Sequence, residues 1–151
     1  MLSLHAADAV EPGGGRPAVP GGAVLVDGDR IAAVGPLDEL AAAHPAARVR
    51  RWAGTVRPGR TEVLVLPDSA DPRECGEDVR RQLHGMLRRG VTAVDDGAAD
   101  GAARSALDRS GLLRGSAPAL TAGARADFAA FAPDGTCLAT VLAGRLVHRL
   151  A

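Results

Sequence analysis

A β-hairpin signal sets the N-terminal fold of this chain, in the stretch GAVLVDGDRIAAVG that runs from residue 22 to residue 35. Two short apolar runs, 23–26 and 31–34, flank the segment 27–30, whose Asp-Gly pair is typical of a tight turn. Because both runs are apolar throughout and do not alternate, they predict strands that are covered on both faces or that belong to a small sandwich.

The chain is predicted to be rich in β-structure on both sides of this hairpin and again at its far end. A length of 151 residues fits one domain, and we expect 1–59, 60–113 and 114–151 to be its N-terminal, inserted and C-terminal parts. Turn signals and apolar runs predict a helix at 37–43, a linker at 114–118, and strands at 2–10, 48–52, 127–131, 137–142 and 145–150.

The middle of the chain predicts a β-α-β-α unit. Its first strand is expected at 62–66. Asp71 can then cap a helix that has Pro72 at its first position, Glu74 at the capping-box spacing and Gly90 as its stop. A crossover of this kind is right-handed and joins parallel strands. The unit is completed by a strand at 91–94 and a helix at 98–109.

Composition argues against several classes of partner. All 18 basic residues are arginine, they balance 18 acidic residues, and they are not interleaved with aromatic side chains. We therefore expect neither nucleic acid nor an anionic membrane as a partner. No long apolar run and no secretion signal is visible, so a cytoplasmic location is expected, with Cys75 and Cys137 as free thiols.

Three stretches carry a family resemblance through their order and spacing. They are the hairpin at 22–35, LRRGVTAV at 87–94, and GARADFAAF at 123–131, which continues into AGRLV at 143–147. Together they resemble the amidohydrolase superfamily, near its imidazolonepropionase and cytosine-deaminase-like members, which are metal-dependent hydrolases.

The resemblance implies a fold as well as a family. In complete members the terminal β segments form a small β-sandwich, the composite domain, around a (β/α)8 barrel of roughly 250 residues. Here only about 60 residues follow Gly59 before the late Ala-Asp pair, and two βα units cannot close a barrel. We therefore predict an α+β fold: a β-sandwich built from the N- and C-terminal segments, with an inserted β-α-β-α remnant of a TIM barrel.

The segment RPGRTEVLVL at 57–66 lies where the family carries Pro-Gly, two apolar residues and Asp-x-His-x-His. Glu62 takes the place of the Asp, and Leu64 and Leu66 take the places of the two metal-binding histidines. The family would use zinc or iron, which an imidazole binds and an isobutyl group cannot. No lysine is present to serve as a mid-barrel ligand. The resemblance therefore carries over no catalytic residue, and we predict no cofactor.

Four other residues keep a catalytic reading open. His84, on the predicted helix, could act in acid–base or metal chemistry with Asp95 or Asp96, which follow the next strand. A surface histidine and a pair of turn or capping carboxylates are the structural alternatives. Cys75 could be activated by the helix dipole or could pack in the core. His5, His44 and His148 fall in separate regions and predict solvent or strand-surface roles.

Two functions of different classes follow from these readings. The first is an amidohydrolase-like protein that is catalytically inactive alone and acts as a binding or assembly module. Its expected partner is a second copy of itself or a full-length amidohydrolase paralogue. The alternative is a metal-dependent hydrolase of non-peptide C–N bonds, of the cyclic amidine, cyclic amide or deaminase type, with a repurposed site.

Overall fold

The computed structural model of the chain describes residues 1–95, 97 and 99–151. It is a mixed α+β structure with a large mixed sheet and few helices, which confirms the predicted fold class at that level. Residues 1–58 form β1 (Leu2–Val10), β2 (Val19–Pro20), β3 (Gly22–Asp27), β4 (Arg30–Pro36), α1 (Leu37–Ala43) and β5 (Arg48–Pro58).

The middle of the chain builds a small parallel sheet, with strand order β6-β7-β8, and two helices. The predicted parallel β-α-β-α arrangement is confirmed, and a short third strand is added where we expected a linker. The elements are β6 (Arg60–Val63), α2 (Pro72–Arg88), β7 (Val91–Asp95), α3 (Gly101–Ser110) and β8 (Leu113–Arg114).

The C-terminal part forms the three predicted strands: β9 (Phe128–Phe131), β10 (Cys137–Leu142) and β11 (Arg145–Arg149). They continue the N-terminal sheet directly, in the order β11-β10-β9-β5-β1-β3-β4, with β2 beside β1. In the described chain the N- and C-terminal segments thus share one eight-stranded sheet, and two separate sheets of a sandwich are not confirmed.

The long strand β5 explains this single sheet. We expected a strand only at 48–52, but β5 continues to Pro58, so that it pairs with β1 along one edge and with β9 along the other. The loop before β9 also contacts the edge strand β4. The backbone N–H of Ile31 donates to Ala124 O at 2.8 Å, and that of Gly123 donates to Ile31 O at 2.8 Å.

Helix α2 begins and ends where its sequence predicts. The backbone N–H of Arg73 donates to the Asp71 carboxylate at 2.9 Å, which caps the first turn beside Pro72. After the helix, Gly90 adopts a φ of +83°, and a Cβ there would lie 2.5 Å from Phe131 Cζ. Gly90 is therefore required both by its left-handed backbone and by the aromatic ring that packs against it.

Strand β6 is shorter than the apolar pattern predicts. We expected a strand at 62–66, but β6 ends at Val63. The backbone of Val65 bonds instead to a side chain of α2: its N–H donates to Gln82 Oε1 at 3.2 Å, and its carbonyl accepts from Gln82 Nε2 at 2.6 Å. An apolar run cannot reveal this side-chain partner, which lies 17 residues further along the chain.

Two main apolar clusters stabilise the structure. The first joins strands of both terminal segments around Phe128, Val56 and Val24. The second lies between the small parallel sheet and helices α2 and α3, around Val79, Leu83 and Leu107. The inserted segment therefore has its own core and is not a surface excursion.

The imidazole of His5 lies inside the first of these regions, which corrects its predicted strand-surface role. Only 2% of the residue is exposed. Its ring stacks on Trp52 at a centroid distance of 6.4 Å and meets the Phe128 ring edge-on at 5.0 Å. The Trp52 indole Nε1–H points to His5 Nδ1 at 3.4 Å. Position 5 falls in an Ala-rich stretch, whose composition does not distinguish a buried face from an exposed one.

This buried imidazole predicts a loss of stability in mildly acidic solution. Burial, and secondarily the charge of Arg50, lowers the pKa of His5 from 6.5 to about 4. As the pH falls below 6.5, His5 becomes protonated in the unfolded chain. In the native protein the same imidazole stays neutral down to about pH 4. The stability contribution is therefore complete above pH 6.5 and is lost between these two values, by about 3 kcal/mol.

Urea denaturation across this pH range measures the effect. His5→Leu should remove most of the pH-dependent loss, whereas His44→Gln, at the end of α1, should retain it. A slope in His5→Leu equal to that of the wild type would show that other groups cause the loss.

Candidate functional site

The two leucines that were predicted to replace the family's metal-binding histidines differ in their surroundings. Leu64 is 5% exposed and packs in the helical core with Val79 and Leu83. Leu66 lies two residues further on and is 44% exposed. One of these side chains thus belongs to the core and the other is exposed, and neither position has an imidazole.

The donor set at the end of β6 does not fit zinc or iron. Leucine offers no lone pair to a metal. Among the described residues, no group of three or more His, Cys, Asp or Glu side chains lies close enough to hold a metal ion. No chemical step through a bound metal follows from these side chains.

Glu62, which takes the place of the family's Asp, is held in an ion pair. Its two carboxylate oxygens accept from Arg89 Nε at 3.2 Å and Arg89 Nη2 at 2.8 Å. The hydrogen bond to Glu62 is the main cause that raises the pKa of Arg89. The pair joins β6 to the residue that follows α2, so the contacts of Glu62 are structural.

The structure does not bring the predicted catalytic residues together. His84 is exposed one turn before the end of α2, and the N–H of Arg60 donates to Gly90 O at 2.8 Å, which places that end of α2 beside the start of β6. Asp95 lies at the carboxyl end of β7, five residues at roughly 3.3 Å each from the strand's start. The C-terminal end of α2, which carries His84, therefore lies beside the start of the strands, whereas Asp95 lies at their carboxyl end.

Of the other predicted catalytic residues, Asp95 and Cys75 form contacts within the fold, and Asp96 is not among the residues that the structure describes. The Asp95 carboxylate accepts from the Gly97 N–H at 3.1 Å, and the Asp95 carbonyl accepts from the Leu64 N–H at 3.0 Å. Cys75 is half-buried against the helical core, and both it and Cys137 are free thiols.

Sequence reasoning missed a buried carboxylate, Asp127, whose side chain is 1% exposed. Its oxygens accept from Arg125 Nε at 2.9 and 2.8 Å and from the Ala143 N–H at 2.7 Å. Arg125 also donates to Gly111 O at 2.6 Å, at the end of α3. Asp127 therefore links β9, the final turn and the inserted helices. The position of Asp127 in the late Ala-Asp motif could have indicated its importance from the sequence.

Surface cavities lie on both sides of His84. One, of about 230 Å³, is bounded by α2 and α3. The other, of about 350 Å³, is bounded by α2 and the end of the chain, and it includes His148. A larger open cavity of about 510 Å³ next to β1 has Asp8, Arg51 and Trp52 among mostly small apolar residues. No helix of the described chain has the length and apolar character needed to cross a membrane.

A family model describes part of this architecture. Residues 22–47, which cover β3, β4 and α1, match the imidazolonepropionase-like composite domain of bacteria. The predicted resemblance is confirmed at this level: residues 22–47 are similar to the imidazolonepropionase-like composite domain of the amidohydrolases. A comparison with curated proteins finds no match.

Solved structures of amidohydrolase-superfamily hydrolases and deaminases share the fold. Ochratoxinase from A. niger superposes with a TM-score of 0.60 at 17% identity, over 78% of this chain and 30% of that one. An adenosine deaminase from Xanthomonas campestris, with bound zinc, gives 0.59 at 17% identity, over 74% and 32%. Guanine deaminase from Bradyrhizobium japonicum gives 0.55 at 18% identity, over 70% and 31%. The chain thus spans about a third of the length of these proteins.

Proposed function

We propose that this chain is an amidohydrolase-like, imidazolonepropionase-like protein that is catalytically inactive alone and acts as a binding or assembly module. The observation that carries the proposal is the pair Leu64 and Leu66, in place of the family's first two metal ligands. A metal ion in such hydrolases lowers the pKa of a bound water and polarises the bond to be cleaved. Without its ligands, neither effect is available.

The environment of the motif supports the same conclusion. Glu62 is neutralised by Arg89 at 2.8 Å. Leu64 is part of the packed helical core. The aligned segment therefore contributes to stability.

We further propose that β6-α2-β7-α3-β8 is a remnant of a TIM barrel inserted in the composite domain. Parallel strands with helices packed on one side are the repeating unit of such a barrel. The coverage of 30–32% of the three solved hydrolases and deaminases supports this reading. Three strands cannot form a closed barrel, since closure requires a consistent strand number, tilt and shear.

The assembly role is supported by apolar side chains at the open edge of this remnant. Strand β6 pairs only with β7 among the described strands. Val63 is 66% exposed and Val65 68%, next to the 44% exposed Leu66. In a closed barrel the corresponding strand has a neighbour on each side. We infer that a second copy of the chain covers this edge, and that a full-length amidohydrolase paralogue is the other candidate partner.

Size-exclusion chromatography with light scattering tests the assembly role. The wild type is expected to elute as a dimer of the 15.3 kDa chain, and Val65→Glu is expected to give a monomer, because a charged side chain at the edge opposes pairing. Val49→Glu is the matched control, since Val49 is 39% exposed but lies on β5. A wild type that stays monomeric at high concentration, alone and with the paralogue, would contradict the proposal.

The alternative function is a hydrolase of non-peptide C–N bonds with a repurposed site. The superposition on an adenosine and a guanine deaminase supports it at the level of the fold. Its residues would be His84, Asp95, Asp96 or Cys75. Under this alternative, His84→Ala or Asp96→Ala abolishes an activity and leaves the melting temperature nearly unchanged. We also infer a cytoplasmic location, which the two free cysteines support.

A further inference from the structure

The cavity between the last turns of α2 and strand β11 gathers basic side chains from distant parts of the sequence. It has a volume of about 350 Å³, and its walls include His84 and Arg88 of α2 and His148 of β11. No Asp or Glu is among the residues that line it. Its side chains can therefore donate hydrogen bonds to a ligand and carry positive charge.

The register of the final hairpin aims His148 at this cavity. Thr140 of β10 lies directly opposite His148 of β11, and directly opposed residues of an antiparallel pair share one face of the sheet. The Thr140 hydroxyl donates to Leu87 O at 2.6 Å, so the shared face is the one against α2. His148 Nε2 is buried, and no residue of the described chain forms a hydrogen bond with it.

A second cavity extends the basic surface past His84. It has a volume of about 230 Å³ and includes Arg80 and Arg109 in its walls, again without an acidic residue. Within the part of the chain that the structure describes, Arg80, Arg88 and Arg109 form no ion pair. By contrast, Arg81 on another face of α2 pairs with Asp78 at 3.3 Å. The whole chain has a formal net charge of zero, so these three arginines form a local excess of positive charge.

We propose that the cavity formed by His84, Arg88 and His148 binds the oxyanion of a phosphate group. The guanidinium of Arg88 offers paired N–H donors that match phosphate oxygens, and the two imidazoles offer single donors. The proposed assembly edge at Val63, Val65 and Leu66 contributes no residue to the lining of this cavity.

Isothermal titration with inorganic phosphate and with phenyl phosphate, in chloride buffer, tests the proposal. We expect saturable one-site binding of the wild type, weakened at least about tenfold by Arg88→Leu and by His148→Leu, since each loses a donor to the anion. Arg81→Leu is the matched control and should bind like the wild type. Tighter binding of phenyl phosphate than of phosphate would identify a phosphomonoester ligand, and the reverse order a free phosphate.

Two results would overturn the proposal. One is the absence of saturable binding of both probes to the folded wild type. The other is an equal loss in Arg81→Leu and Arg88→Leu, which would show non-specific attraction to the helix. Because His148 is partly buried, His148→Leu is used only if its melting curve shows a folded protein. If that variant is unfolded, the variant of the exposed Arg88 decides the outcome.

Discussion

Replacing Asp127 with alanine is expected to lower the free energy of unfolding by about 3–5 kcal/mol. The carboxylate is 1% exposed and accepts hydrogen bonds from Arg125 and from the backbone of Ala143. Its removal leaves the Arg125 guanidinium, 25% exposed, without its anion, and leaves the Ala143 N–H without an acceptor. The loss is measured by urea denaturation, from the shift of the midpoint at constant slope.

Asp134 provides the control for this experiment. Its carboxylate also accepts from a backbone N–H, that of Thr136 at 2.9 Å, but it lies in the exposed turn between β9 and β10. Asp134→Ala should leave the urea midpoint nearly where it is in the wild type. If Asp127→Ala and Asp134→Ala shift the midpoint equally, the carboxylate of Asp127 does not link the composite domain to the insert.

Restoring the family's metal ligands is expected to destabilise the protein without creating a metal site. Leu64→His introduces a polar ring at a position that is 5% exposed and packed against Val79 and Leu83. We expect a loss of about 3 kcal/mol from the missing apolar contacts and the unpaired ring nitrogens. The double variant Leu64→His/Leu66→His should not bind zinc tightly, because the two side chains point into different surroundings.

Leu66→His alone is the matched control, because 44% of Leu66 is exposed. It should unfold at nearly the wild-type urea concentration. Zinc titration of the double variant, followed by its melting temperature and by equilibrium dialysis, checks the second half of the prediction. Stoichiometric zinc bound by the double variant, with a raised melting temperature, would mean that the family's site geometry survives at the end of β6.

The parts of the fold that depend on local chemistry could be predicted from the sequence. The β3–β4 hairpin follows from the Asp-Gly turn between two apolar runs. Helix α2 follows from the Asp71 cap and the apolar stripe, and its end follows from Gly90. Each of these patterns is contained within a short segment of the chain. The structure that it predicts therefore does not depend on contacts with distant residues.

The parts that depend on distant partners could not be predicted in this way. The length of β5 is set by β1 and β9, which lie on its two sides. The early end of β6 is set by Gln82, and the burial of His5 by Trp52 and Phe128. None of these contacts leaves a pattern in the neighbouring sequence.

For the candidate site, too, residue types could be read from the sequence, whereas contacts between distant residues could not. The proposed loss of the metal ligands is a change of residue type, so it could be inferred from the alignment of Leu64 and Leu66 alone, and it stays a prediction. The gathering of His84 and His148 depends on the register between β10 and β11 and on the packing of α2 over that hairpin. The sequence placed these two histidines in separate regions, and only the fold brings them to one cavity.

Metal content and turnover, measured together on one sample, test the central claim most directly. The protein is produced with zinc and iron in the medium, dialysed, analysed for bound metal and assayed on cyclic amides and aminopurines. We predict less than one equivalent of either metal and no turnover above the buffer rate, because leucine is present at 64 and 66, where we propose that the family's ligands would lie. One tightly bound zinc or iron per chain, with turnover that chelation abolishes, would contradict the account.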